Sequence, residues 1–489
     1  MKKTLNIFYL LVILALLLAA CAPVATTGNG ITSTSDAGSK AVSVTQSADT
    51  NINSSNNPGN PPSGNPPGNP SPSAGKGSSS IDDGLSTATG AYTLNGGSAT
   101  LSDQVYTASN KDQSGVYVTD KGALTLNNIT VTTSGNTSSD ENSSFYGLNA
   151  GVLAASGSTI TINSGTISTT GTGANGAFAA GDGSVVNLTN VTINASGDGG
   201  HGVMVTLGGK VNLTNVDMTT SDAHSAPIAT DRGSGTITST GGKLITTGAD
   251  SPCYYSTGVL DITDSTCNAT MSEVAVIEGA NSVNLINSTA QTSAAGKWGV
   301  MIYQSFSGDA EGSKGNFTMN GGSLSITATD SPLFYVTNSI GNINLKNVKI
   351  NAASGILLKA QGNDRWGTSG SNGGAAIVKA DSQTLVGDFV ADKISSISLD
   401  LTNGSSLTGA INADNAAKSA SLTLDSSSAW TVAADSYITS LVNPDGISGT
   451  NVNNIIGNGH TVYYNADSCP ELNGQTFTLV SGGILTPSK

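Results

Sequence analysis

The chain writes nearly the same phrase twice: VNLTNVTINAS begins at Val186 and VNLTNVDMTTS at Val211, 25 residues later. Self-similarity at such a period means a stack of equivalent units, and this limits the fold more than any other feature. Starting from LTNV, one frame fits LTLNNITV, ITINSGTI, VNLTNVTI, VNLTNVDM, TITSTGGKL, LDITDSTC, VNLINSTA, FTMNGGSL and INLKNVKI. A single column of this alignment reads Asn128, Ser164, Asn190, Asn215, Gly241, Asp264, Asn287, Gly321 and Asn347. Asn, Gly and Asp tolerate positive φ, so the column predicts one left-handed bend per coil. Alternating apolar runs flank it, as Val186 and Leu188 before Asn190 and Val191 and Ile193 after it, which reads as strand, bend, strand. Gly151, Gly176, Gly202, Pro227, Pro252, Gly299, Pro332 and Gly355 each stand before a third apolar run. Three short strands per coil predict an all-β chain wound as a right-handed parallel β-helix. An antiparallel sandwich of short strands would give no constant spacing of a bend residue.

Two further expectations follow from this frame. The Asn members of the bend column, Asn128, Asn190, Asn215, Asn287 and Asn347, are expected to stack as a side-chain amide ladder inside the solenoid. In the third strand the first position reads Val152, Ala177, Val203, Ile228, Cys253, Val274, Val300, Leu333 and Ile356, and the next is equally apolar. Adjacent strand residues face opposite ways. Placing the first column inside keeps Asp231 and Lys359 out of the core and leaves an outward contact stripe of Leu153, Phe178, Met204, Tyr254, Met301, Phe334 and Leu357. The opposite parity makes that stripe core. Elsewhere the outer face is polar: Thr130, Thr166, Thr192, Thr266, Thr289 and Ser323 share a column with Asp217, Lys243 and Lys349.

At the start, Lys2 and Lys3 precede an apolar run from Ile7 to Leu17, and LAAC (Leu18 to Cys21) closes it. The run is shorter than the roughly 20 residues a membrane span needs. The segment resembles a bacterial lipoprotein signal peptide (residues 1–21). That resemblance implies export, lipidation of Cys21 and attachment to the membrane of the cell envelope through acyl chains, the solenoid lying outside the cytoplasm. Residues 22–80 are Ser, Asn, Pro and Gly with no hydrophobic pattern, the composition of a disordered tether. The coils then run over 81–373. Beyond them, over 374–489, SLDLTNGSSLTGAI and SLTLDSSSAWTVAA align and pair Leu401 with Leu424 and Leu407 with Trp430, a continuation of the β-helix. The stretch SLTLDSSSAWTVAADSYITSLVN (421–443) resembles the C-terminal part of pertactin-like autotransporter passenger domains, which are pectin-lyase-like solenoids. The resemblance implies that this region caps the helix; the passengers' membrane barrel is not expected after LVSGGILTPSK.

The functional reading rests on few residues. A net charge of −14 with 19 Lys plus Arg argues against nucleic acid as a partner, since phosphate neutralisation needs clustered cations. Enzymes of the β-helix class need carboxylates close enough to act as acid and base or to hold a metal. Asp198, His201, Asp222, His224, Asp231 and Arg232 are the best local set, but in this frame they do not stack and read as solvated turns. No catalytic set, metal or cofactor is expected. Two coils carry insertions after the third strand, Gln304–Asn316 and Gln361–Gly374, with one regular coil between them. They emerge on one side, so Asp309, Glu311, Asp364, Arg365 and Trp366 are candidate ligand-binding residues, an Arg beside a Trp being suited to a sugar or a protein. The plainer reading has Trp366 packed on the wall. Cys253 and Cys267 both point into the lumen and can form a disulfide, or stay reduced as small hydrophobes; Cys469 is expected to be the thiol that labels. Together these readings describe a lipid-anchored surface protein that adheres to or binds a glycan or a surface protein without catalysis. A polysaccharide lyase or hydrolase is the alternative, and a structural envelope component the third.

Overall fold

A computed structural model describes residues 84–307 and 310–488; the leader with Cys21, the stretch read as a tether, and Asp309 lie outside the described residues. Of the described residues 52% lie in strands and 3% in helix, wound into a parallel β-solenoid of about 16 turns. All nine residues of the bend column have positive φ, from 49° at Asn287 to 72° at Gly241. In three early coils the strand runs unbroken through the bend, as Ala123–Thr133, Thr159–Thr169 and Val185–Ala195. Later coils split there, as Lys210–Thr214 and Asp217–Thr220. The third strands form a separate twelve-stranded wall from Thr89–Asn95 to Asp388–Ala391. Identical phrases recur because each residue pairs with its equivalent one coil on: Val186 faces Val211, and Leu188 faces Leu213.

The bend column is a corner and not a core. Asn128, Asn190, Asn215, Asn287 and Asn347 are all exposed, which corrects the expected internal ladder. A left-handed bend turns the side chain of that residue outward, where water satisfies it. The pair Asn215 Nδ2 and Asn190 Oδ1 at 3.4 Å is a remnant of such a ladder on the outside. Amide stacking occurs instead along the outer face, where Asn212 Nδ2 donates to Asn187 Oδ1 at 2.7 Å. The Gly column before the third strand has a steric cause: a Cβ on Gly176 would run into the Ile193 side chain and the Gly202 carbonyl.

The third-strand columns are correct in the early coils and slip by one residue later. Ala177, Val203 and Ile228 share a level in the lumen, but the next residue at that level is Tyr254, and then come Ala275, Val300, Phe334 and Leu358. Cys253 sits one level earlier, accepting from the amide of Ile228 (3.2 Å). The cause is the turn: Pro227 abuts its strand, whereas Pro252 and Pro332 are each followed by one more residue before theirs, and a bulge between Ile356 and Leu358 adds another offset. Tyr254, Phe334 and Leu357 are therefore core, with Phe334 packed against Phe317 at 5.8 Å.

Leu153, Phe178, Met204 and Met301 do face away from the lumen, yet all are buried, so the proposed exposed stripe does not exist. A seven-residue helix, Asp140–Tyr146, lies over the early part. Ser139 Oγ caps it by accepting from the amide of Asn142 (3.1 Å), Asp140 and Glu141 complement its first turn, and Gly147 ends it at φ 74°. Thr206 Oγ1 donates to the Phe145 carbonyl at 2.7 Å, and the Arg232 guanidinium lies 3.7 Å from the Phe145 ring centroid. Toward the C-terminus a nine-stranded sheet takes over one side, with Leu407 opposite Trp430 and Trp430 fully buried. Two antiparallel pairings, Ile447–Ser448 with Asn451–Ile456 and Phe477–Val480 with Ile484–Pro487, interrupt the parallel edge there.

Candidate ligand-binding face

The later part of the twelve-stranded wall carries its own outer cluster of Val276, Trp298, Met301, Tyr303, Tyr335 and Trp366. Its centre is Glu278, nearly fully buried at the end of Ala275–Glu278. Its carboxylate accepts from the Tyr303 phenol at 2.6 Å, the Tyr255 phenol at 3.1 Å, the Ser305 amide at 3.3 Å and the Ser305 hydroxyl. A buried carboxylate needs this number of donors to offset its desolvation. Burial, and then the charge of Glu278, hold the Tyr303 phenol well above its usual range. Trp298 stacks on Tyr335 with centroids 4.2 Å apart.

Both insertions pack on this cluster. In the first, Gln304 is buried and its Nε2 donates to the carbonyls of Ala310 (3.1 Å) and Gly312. Its Oε1 accepts from the amide of Phe306 at 2.8 Å, and Phe306 stands at φ 61° with 65% of the residue exposed. In the second, Asn363 Nδ2 donates to Thr337 Oγ1 (2.8 Å), and its Oδ1 accepts from the amides of Arg365 (2.8 Å) and Trp366 (2.6 Å). Trp366 of the second insertion meets the wall residue Tyr303 at 4.6 Å, and Gln304 at the start of the first accepts through its carbonyl from Asn338 Nδ2 at 2.6 Å, so each insertion is pinned to the wall.

The sequence-derived candidates thus divide. Trp366 is buried and covers the wall, which corrects its assignment as a ligand platform. The Arg365 guanidinium lies 4.9 Å from the Trp366 ring centroid, and Asp364, Arg365 and Glu311 are exposed. Phe306 was missed, because a lone Phe among Ser and Gly carries no periodic signal; its exposure follows from the turn that Gln304 holds.

Asp198 and His224 do meet, contrary to the expected frame. His224 Nδ1 lies 2.9 Å from Asp198 Oδ1 across adjacent coils, both side chains being substantially exposed. Beside them His201 Nδ1 accepts from the amide of Ala226 at 3.0 Å, repeating one coil on what Asn175 Oδ1 does for the amide of His201. Burial pushes the His201 pKa down to about 4, with the nearby His224 adding to the fall. Among the described residues no three His, Cys, Asp or Glu side chains converge as a metal site requires.

The polar column on the other outer face is in register: Thr130, Thr166, Thr192 and Asp217 pair in sequence, as do Lys243, Thr266, Thr289, Ser323 and Lys349. No family model matches the chain, and neither curated proteins nor solved structures provide a match.

Proposed function

We propose that this chain is an exported, lipid-anchored surface protein that binds a glycan through the two insertions of its solenoid. The observation that carries the reading is the Tyr303–Trp366 contact, which fixes the second insertion on the wall from which the first departs, with Phe306, Asp364, Arg365 and Glu311 exposed on the two insertions. An exposed ring on one insertion, with a guanidinium and carboxylates exposed on the two, offers a stacking surface and both hydrogen-bonding senses to a hydroxyl-rich ligand. The anchor follows from the LAAC motif and the resemblance it carries. Retention of the full chain on immobilised polysaccharides, compared with an Arg365→Ala variant, tests the reading; retention on protein but not glycan would move it to a surface-protein partner.

A second reading has a specific observation behind it. The Asp198–His224 contact is an acid–base pair of the kind a polysaccharide-cleaving enzyme uses. New chain ends released by the wild type and abolished by His224→Gln would favour it.

A further inference from the structure

Three consecutive coils place Asp250, Glu273 and Lys297 at the corner leading into the twelve-stranded wall, near enough for the charges of Lys297 and Asp250 to act on Glu273. The order is fixed by the backbone: the amide of Cys253 donates to the Glu273 carbonyl (3.3 Å), and that of Val274 to the Gly299 carbonyl (2.8 Å). Lys297 Nζ reaches past the middle coil to contact Asp250 Oδ1, 47 residues away in sequence. Neither side chain is open to water, at 18% and 10% exposure. In the coil between, Glu273 is fully buried. One of its oxygens accepts from Ser272 Oγ at 2.6 Å, and the other, Oε1, has no partner. Trp298, stacked on Tyr335 and itself buried, follows Lys297 directly.

An amine held against a carboxyl group, shielded from water and accompanied by a second buried carboxyl, is what condensation to an amide requires. Holding the reactants in contact supplies the entropy that a bimolecular reaction lacks, and a positioned acid moves the protons. We propose that Lys297 and Asp250 are joined by an intramolecular isopeptide bond, formed with Glu273 as the proton shuttle.

The step balances without an oxidant, reductant or activated co-reactant. A proton passes within the contact from the Lys297 ammonium to the Asp250 carboxylate, giving amine and acid. Nζ attacks Cγ of Asp250 and the C–N bond forms. Glu273 gives its proton to the departing hydroxyl and takes one from the nitrogen, the Cγ–O bond breaks, and one water leaves. Glu273 ends as it began. It must start protonated, and burial does push its pKa up, against the opposing charge of Lys297 and the hydrogen bond from Ser272, with the Asp250 charge adding to the rise. Expulsion of water from a site that excludes it favours the amide. In a solenoid each coil otherwise touches only its neighbours, so this bond would tie the first of three coils to the third.

The test is peptide mapping and intact mass of the reduced, alkylated full chain. The wild type is expected to be lighter by one water and to yield a branched peptide containing Asp250 and Lys297. Asp250→Ala, Lys297→Arg and Glu273→Gln should each keep that water and yield linear peptides. Linear, unmodified Asp250 and Lys297 peptides from folded wild type would overturn the proposal whatever the variants do. A branched peptide in Glu273→Gln would overturn the role of Glu273.

Discussion

Cys253 and Cys267 are disulfide-bonded across the solenoid, their Cα atoms 6.3 Å apart and 14 residues apart in sequence. The bond ties the corner before one third strand to the second strand of the coil that follows it, where Cys267 stands level with Leu244 and Ala290. A loop of this length predicts that Cys253→Ala/Cys267→Ala lowers unfolding free energy by about 3 kcal/mol. Chemical denaturation of both proteins measures it.

Cys469, expected from the sequence to label, is fully buried, and burial pushes its thiol pKa up. Its Sγ donates to the Thr439 carbonyl at 3.7 Å. Alkylation of the native protein should therefore be slow and should accelerate in denaturant; fast labelling of native protein would contradict the packing of this C-terminal region.

The buried stripe predicts that Phe178→Ala and Phe334→Ala each cost about 3–5 kcal/mol, although the two rings lie on opposite sides of the wall. They separate by a second readout. Arg232→Ala, which removes the cation over Phe145, should loosen the helix and raise binding of a hydrophobic dye at Phe178 and Met204 while leaving the lumen intact. Unchanged dye binding would mean that the helix is held without Arg232.

His201 predicts a pH dependence. Its folded pKa, about 4, lies below the ordinary value of 6.5, so the unfolded chain binds more protons between those limits. Stability is therefore full above pH 6.5 and falls as pH drops toward 4. The groups around it are His224, which pairs with Asp198, and the Ala226 amide. His201→Asn keeps an acceptor for that amide, as Asn175 does one coil earlier, and should flatten the melting temperature over this range.

The parts of the fold legible in the sequence are those with a local cause. Tolerance of positive φ belongs to the residue, so every bend from Asn128 to Asn347 was placed correctly. Stacking of like on like likewise gave the register that puts Leu401 beside Leu424. What failed depends on lengths and covers that no local signal encodes. One extra residue after Pro252 moved Tyr254 into the lumen, and nothing in the phrase containing Phe145 announces that it will lie over Phe178. The insertions were placed on one side by coil counting, but the burial of Trp366 and the exposure of Phe306 depend on Tyr303 and Gln304.

The claim that this solenoid binds through its insertions is tested most directly by one comparison. The full chain and a Phe306→Ser/Arg365→Ala variant are applied to the same panel of immobilised polysaccharides, with retention and new chain ends both measured. Loss of an exposed ring and a guanidinium at the centre of a site predicts at least about a tenfold fall in retention, with no chain ends produced by either protein. Equal retention by the variant, or chain ends released by the wild type, would contradict the account.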